Sequence, residues 1–288
     1  MPYDLAAMTR RAKPGIRRSS VVLRDIVPPA VLATDLYRAA YAPVVQAWTE
    51  GAERIIAEYE RSLSQITTDS AEDAESLLTT VSEAISRLVL TLTPELRSWA
   101  LRVERWQRGR WRGAVLSATG VSLDTLVGPE DVRETLSTVI ARNVALVKDV
   151  SAQAQGRISD AVFRGLTQRQ PAREVAKEIR GAVTMARDRS IRIASHQLSA
   201  VSAELAQERR REAGLDIFAW HHSAKRFPRK EHLERDGDLY TENPEHVGKK
   251  VNGKVVKAAP PASDRAGVKP FCGCRERAVF VLAFDGED

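Results

Sequence analysis

The stretch Asp35–Gln65, DLYRAAYAPVVQAWTEGAERIIAEYERSLSQ, decides the architecture. Its residues Leu36, Tyr37, Val44, Val45, Trp48, Ile55, Ile56, Tyr59 and Leu63 recur at three- and four-residue steps, the spacing that returns side chains to one face of a helix. Thr34 and Asp35 stand where an N-cap is expected, since their side-chain oxygens can accept from the first free backbone N–H groups. The same texture continues outward. A second helix is predicted over Ala71–Leu92, and a third starts at Thr93-Pro94-Glu95, because proline is tolerated in a first helical turn, and closes at Gly120. A fourth opens at Gly128-Pro129-Glu130-Asp131 and carries Val132, Leu136, Val139, Ile140, Val144 and Val147 on one face. After a break near Val150–Gln155 come helices over Gly156–Leu166, Arg173–Ala186 and about Asp188–Ala213, the last ended by Gly214 as a C′ glycine.

Six or seven helices with short connections lack the strand–helix alternation of a parallel-sheet enzyme. Beyond Gly214 the texture changes. Asp216–Trp220 and Ala278–Phe284 read as strands, and the 55 or so residues between them are rich in Gly, Pro, Lys and His. A loop of that length with little apolar content must be tied down by something other than a hydrophobic core, or be partly flexible. The expectation is a mainly α chain: a basic N-terminal arm at 1–30, an elongated multi-helix domain at 31–214, and a small α+β module with a long basic loop at 215–288. Composition leaves open whether the arm is ordered.

The chain has 288 residues, 43% of them hydrophobic and 28% charged, which excludes a disordered chain. Its mean hydropathy is −0.31, and no stretch reaches the roughly 18 consecutive apolar residues of a membrane span. Arg10, Arg11, Lys13, Arg17, Arg18 and Arg24 are basic, but no apolar segment or small-residue cleavage site follows, so no secretory signal is expected. Cys272 and Cys274 are the two cysteines, spaced too tightly to staple distant segments, which suits a reducing compartment. The net charge of +6 is localised: residues 209–277 hold 16 Lys/Arg against 10 Asp/Glu, and the remainder balances. Such a surplus favours acidic partners such as nucleic acid.

The same segment holds His221, His222, His232 and His246, four of the five histidines. His232, Cys272 and Cys274, with a fourth ligand from His221, His222 or His246, are a candidate structural zinc site, which would explain how a Gly/Pro/Lys-rich loop is held. Two free thiols in a packed turn are the alternative. A general base among the histidines, beside Glu231, Glu234, Asp236 or Asp238, would be needed for catalysis. No nucleophile elbow, phosphate-binding loop or dinucleotide fingerprint is present, so an enzyme is not expected. Arg97, Arg102, Arg105, Arg108, Arg110 and Arg112 are interleaved with Trp99, Trp106 and Trp111. That segment either contacts DNA, through Arg105, Arg108, Arg110 and Arg112 above all, or packs its Trp face and leaves the arginines solvated; the seven-residue Trp99–Trp106 spacing favours packing. Lys249, Lys250, Lys254 and Lys257 in the basic loop are further candidate DNA contacts.

Five blocks in the C-terminal half, taken together, resemble a known family. They are Ala141–Val150; Ile158–Leu166 with Pro171–Ile179; Arg192-Ile193-Ala194-Ser195-His196-Gln197; Trp220 with Pro228–His232 and Asp236-Gly237; and Pro270-Phe271-Cys272-Gly273-Cys274-Arg275. In order and spacing they are similar to the minor head, or head morphogenesis, proteins of tailed bacteriophages, typified by the F protein of phage Mu. Some members have a Cys-x-x-Cys pair where this chain reads Phe227-Pro228-Arg229-Lys230. The resemblance implies a minor capsid protein that associates with the portal protein during assembly in the host bacterial cytoplasm. It then sits inside the virion near the portal vertex, with scaffolding or major capsid protein and genomic DNA as further partners, and helps organise or deliver that DNA. An injected effector or nuclease acting through the His/Cys module is the alternative. Because the chain ends at Asp288, soon after the Cys-x-Cys block, an appended toxin domain is not expected.

Overall fold

A computed structural model describes residues 3–13, 19–65, 70–125, 127, 128 and 130–286. Arg17 and Arg18 of the basic arm, and Pro129 at the predicted start of the fourth helix, lie outside the described residues. The chain is mainly α, with a small strand-rich C-terminal part. The helices are α1 (Leu5–Ala12), α2 (Val31–Leu36), α3 (Ala42–Gln65), α4 (Ser70–Leu90), α5 (Thr93–Thr119), α6 (Arg133–Gln168), α7 (Ala172–Glu212) and α8 (Lys230–Glu234). The strands are β1 (Ser20–Val22), β2 (Ile217–His221), β3 (Leu239–Thr241), β4 (Lys250–Val251), β5 (Lys254–Ala258) and β6 (Arg275–Val281).

Two compact units result, and they do not follow the linear division at residues 30 and 214. One comprises residues 30–100 and 137–195; the other gathers 1–29, 101–136 and 196–288. The first is held by an apolar core on α3 and its neighbours, with Tyr41, Trp48, Ile55, Tyr59, Ile85 and Trp99 almost fully buried. Polar atoms on the large rings find partners: Trp48 Nε1 donates to Ser151 Oγ at 3.0 Å, and Trp99 Nε1 to the Leu32 carbonyl at 2.8 Å. Helix packing is close enough that a Cβ on Gly165 would lie 2.6 Å from Val175 Cγ2 and 2.7 Å from Tyr59 Oη. Only a glycine lets α6 approach there.

Several predicted breaks are absent. The expected N-caps Thr34 and Asp35 lie inside α2, which begins at Val31 and runs through a π-helical turn at Tyr37–Tyr41 into α3. That turn immediately precedes Pro43, whose missing N–H disturbs an α-helical ladder. No break occurs at 150–155 or 186–188, because Val150, Ala154 and Ile158, and Val183, Ala186 and Ser190, keep the buried stripe in phase through small and polar residues. Gly120 (φ +76°) and Gly214 (φ +66°) do end their helices in the left-handed conformation glycine allows.

In the second unit a six-stranded sheet has the order β1-β6-β2-β3-β5-β4, antiparallel except for the parallel β3–β5 pair. The predicted long loop therefore contributes three strands and a helix. The described parts of the arm, 3–13 and 19–30, are also structured: Asp4 caps α1 by accepting from the Ala7 N–H at 2.9 Å, and β1 pairs with β6 through Ser20↔Val281 and Val22↔Val279. Along β2 the side chains alternate as a strand requires. Ile217 and Ala219 pack with Leu239, Val251, Val256 and Val279. On the opposite face Phe218 and Trp220 pack with Tyr240, Ala266, Cys272 and Cys274.

Candidate metal centre

Three segments far apart in sequence meet under the Phe218/Trp220 face. Strand β2 delivers Trp220, whose N–H and carbonyl bond to Asp238 O and Gly237 N, both at 2.9 Å, so the 235–238 turn is pinned to the strand. Gly237 sits at φ +80°, which closes that turn. The short helix α8, just before the turn, presents His232 edge-on to the Trp220 ring with centroids 5.1 Å apart. The Cys272-Gly273-Cys274 turn comes from the segment entering β6. Gly273 must be small there, since a Cβ would lie 3.0 Å from both Ser223 Cβ and Lys225 Cε.

His232 is 1% exposed and each cysteine 4%. The imidazole Nδ1 lies 3.5 Å from Cys272 Sγ and 3.7 Å from Cys274 Sγ, and the three ligand atoms fall within 4.8 Å of one another. These residues could hold a metal ion. The other ring nitrogen, Nε2, is 3.0 Å from Asp264 Oδ1. Asp264 is itself gripped by Arg235 Nη2 at 2.5 Å and by Lys269. A carboxylate behind a ligating histidine fixes its tautomer and turns the free nitrogen toward the metal, so the arrangement has the outer support a ligand histidine needs.

Electrostatics point the same way. Burial would raise the Asp264 carboxyl, but hydrogen bonds from Lys269, Arg235 and His232 outweigh it and hold the group well below the usual carboxylate range. The hydrogen bond from Cys274, helped by the Gly267 and Cys274 backbone N–H groups and by His232, brings the Cys272 thiol down to about 4. Cys274 is pushed up by that same pairing and by burial. The pairing thus favours the thiolate at Cys272 and disfavours it at Cys274, and thiolate is the ligating form.

The proposed fourth ligands lie outside this cluster. His246 Nδ1 is 2.5 Å from Asp216 Oδ2, His221 stands between Asp25 and Asp236 at 3.7 Å from each, and His222 Nδ1 accepts from the Ala224 N–H at 3.1 Å. Among the DNA candidates, Arg105 and Arg110 are exposed on α5, whereas Arg108 pairs with Glu104 at 3.3 Å and Arg112 donates to the Asp124 carbonyl at 2.9 Å. Trp99 and Trp111 are core residues. Lys249 lies 4.5 Å over the Phe284 ring, Lys254 donates to the Gly237 carbonyl at 2.8 Å and Lys257 pairs with Asp238 at 2.6 Å; Lys250 is exposed on β4.

Asp264 and Arg235 were not singled out from the sequence. Asp264 is 32 residues from His232, and no local spacing signals it. A second feature was also missed, a buried charged network in which Glu276 bridges Arg265 at 2.5 Å and Arg210 at 3.2 Å, with both guanidinium groups over the Phe218 ring at 4.6 and 4.4 Å.

No protein-family model and no solved structure matches the chain. It is 26% identical over 145 residues to an uncharacterized protein of Haemophilus influenzae (strain ATCC 51907 / DSM 11121 / KW20 / Rd), a match that covers 48% of this chain and 32% of that protein. The matched part thus spans about a third of the relative's length.

Proposed function

We propose that this chain is a minor head protein of the tailed-phage type, an assembly component that associates with the portal inside the head, and that its C-terminal module is folded around a structural zinc ion and faces packaged DNA. One observation carries this reading. Of the separate words of the resemblance, Trp220, His232 and Cys272/Cys274 form a single buried cluster, and Asp236-Gly237 lies in the turn hydrogen-bonded to Trp220 beside it. Tetrahedral zinc, with Zn–S about 2.3 Å and Zn–N about 2.0–2.1 Å, spaces imidazole and thiolate ligands about 3.6 Å apart, and the two nitrogen–sulfur distances of 3.5 and 3.7 Å fit three corners of such a site, the fourth falling to a ligand from outside this cluster. Bound there, zinc would cross-link α8 to the strand-entry turn and hold in place a module whose own apolar core is small.

Deep burial supports a structural rather than a catalytic role for His232, since a general base must reach its substrate. The test is co-sedimentation of the purified chain with the portal protein from the same genome, at low and high salt. Salt-resistant binding is the expected result. Absence of binding at every salt, with the protein missing from mature particles, overturns the assembly reading; loss of a nuclease activity on His232→Ala would establish the effector alternative.

A further inference from the structure

The segment Ala224–Lys230 leads into α8, the helix that carries His232, and every one of its residues is exposed. It carries Lys225, Arg226, Arg229 and Lys230 with no acidic residue. At its tip Phe227 is 84% exposed, with the Arg226 guanidinium 5.3 Å from its ring centroid. A second aromatic, Phe271, is 53% exposed on the Cys272-Gly273-Cys274 turn. Lys225 Nζ donates to the Phe271 carbonyl at 2.6 Å and Arg229 Nη2 to the Pro270 carbonyl at 3.0 Å, so the two loops form one tied surface.

This surface is held in a conformation that unconstrained chain avoids. Phe271 has φ +59° and Ala224 φ +51°, values uncommon for residues with a side chain and costly for a bulky one. The His196 ring, 5.8 Å away and tilted by 51°, braces Phe271 from α7. Two aromatics are thus presented outward on a rigid base, among cations. Nearby acidic groups are few: Glu231 and Glu234 lie on α8, where Glu234 makes a loose 3.9 Å pair with Lys230, and Asp264 is consumed by His232, Arg235 and Lys269.

We infer that the tied loops 224–230 and 269–271 bind single-stranded nucleic acid, with Phe227 and Phe271 stacking on unpaired bases and the loop cations meeting the phosphates. Exposed aromatic rings interleaved with positive charge are what a flexible strand recognises, because every base has a stacking face and every linkage a negative charge. A duplex keeps its bases stacked on each other, so a ring reaches a base face there only by unstacking a step, at a cost of about a few kcal/mol. In the arginine-rich part of α5, Trp99 and Trp111 are buried and Trp106 is half-buried, so that segment presents less free aromatic surface than Phe227 does. The inference rests on the DNA-facing part of the proposed function and goes beyond it by naming the strand form and the residues.

The test uses the full chain, with its zinc content measured, and fluorescence anisotropy with a labelled oligothymidine of about 20 nucleotides and the matching duplex. The single strand is expected to bind more tightly than the duplex. Phe227→Ala should weaken single-strand binding about fivefold or more, with Phe227→Trp restoring it. The Arg226→Gln/Lys230→Gln pair should flatten the log–log salt dependence by about 1.4, roughly 0.7 for each lost phosphate contact on a single strand. These side chains make no core contact, so unchanged circular dichroism confirms folding. No binding, equal affinity for both strand forms, or indifference to Phe227→Ala overturns the inference. If the unmodified chain co-sediments with portal yet binds no oligonucleotide, this inference falls and the assembly role stands.

Discussion

The two units bury different chemistry. Among the described residues, the unit built on 30–100 and 137–195 buries no Asp, Glu, Lys, Arg or His; its buried polar groups are Ser62, Asn143, Ser190 and the hydroxyl-bearing Tyr41 and Tyr59, and its core is aromatic and aliphatic. The other unit buries Glu104, Arg209, Arg210, Arg265, His222 and His232. One is held by apolar area, which is non-directional and spread over many contacts. The other depends on particular partners, where deleting one group leaves another buried and unpaired. The first should therefore lose stability by degrees and the second through single events.

The sharpest separation is expected from metal removal. A chelator, or Cys274→Ser, should collapse protection in β2 and β6 while α3 and α4 keep theirs, as read by hydrogen exchange with zinc content measured in parallel. Binding of a structural zinc is worth on the order of 10–16 kcal/mol in small zinc-folded peptides, more than any single contact here. Equal loss in both units would erase the contrast. Next comes Arg209→Met. Arg209 reaches Glu104 at 2.9 Å, Glu212 at 3.0 Å and the Gly128 carbonyl at 2.9 Å, and its removal should cost about 3–5 kcal/mol in denaturant unfolding. Adding Glu104→Leu should recover much of that, since the stranded carboxylate goes with it; failure to recover would mean packing, not pairing, dominates. In the apolar unit Gly165→Ala should cost about 1–3 kcal/mol by overpacking against Val175 and Tyr59.

The smallest effect is a pH dependence. Burial raises the Glu242 carboxyl, but the 2.5 Å hydrogen bond from Arg265 outweighs it and the group sits below its usual range. A carboxylate depressed on folding contributes stability above its unfolded value, about 4.3, and loses it as pH falls through the lower folded value. Thermal midpoints between about pH 5 and 3 should therefore fall less steeply in Glu242→Gln, by under about 1 kcal/mol because the Glu242 carboxylate itself is open to solvent. Identical slopes in both proteins would remove Glu242 from the linkage.

The same contrast explains what could be read from the residues alone. Helical stripes such as Val44, Trp48, Ile55 and Tyr59 are local and periodic, and so are the glycines that end helices, which made the mainly α architecture legible. Predicted breaks failed at Gly156 and Asp188 because a continuous buried stripe overrides weak local breakers. The added strands were harder. Lys254–Ala258 has a lysine on each face and no clean apolar–polar alternation, with only Val256 buried, and Leu239–Thr241 is three residues long. One local signal was available: Asn252-Gly253, with φ +49° and +76°, is a tight hairpin turn between β4 and β5. His232, Cys272 and Cys274 stood out by residue type, whereas Asp264 and the Arg210–Glu276–Arg265 network depend on long-range pairing that spacing does not encode.

The pairing of β1 with β6 also sets an order of events during synthesis. Strand β6 lies between β1 and β2 in the sheet, yet it is translated after every other strand, and the neighbouring Arg10–Leu282 bond joins residues 272 apart. Nascent β1 must wait, unpaired, while nearly the whole polypeptide emerges. Helices α3 and α4, whose contacts are local, can form long before that. A ribosome-bound chain thus passes through a stage in which the helical unit is finished and the sheet is not, and completion of the module reports that translation has passed residue 281.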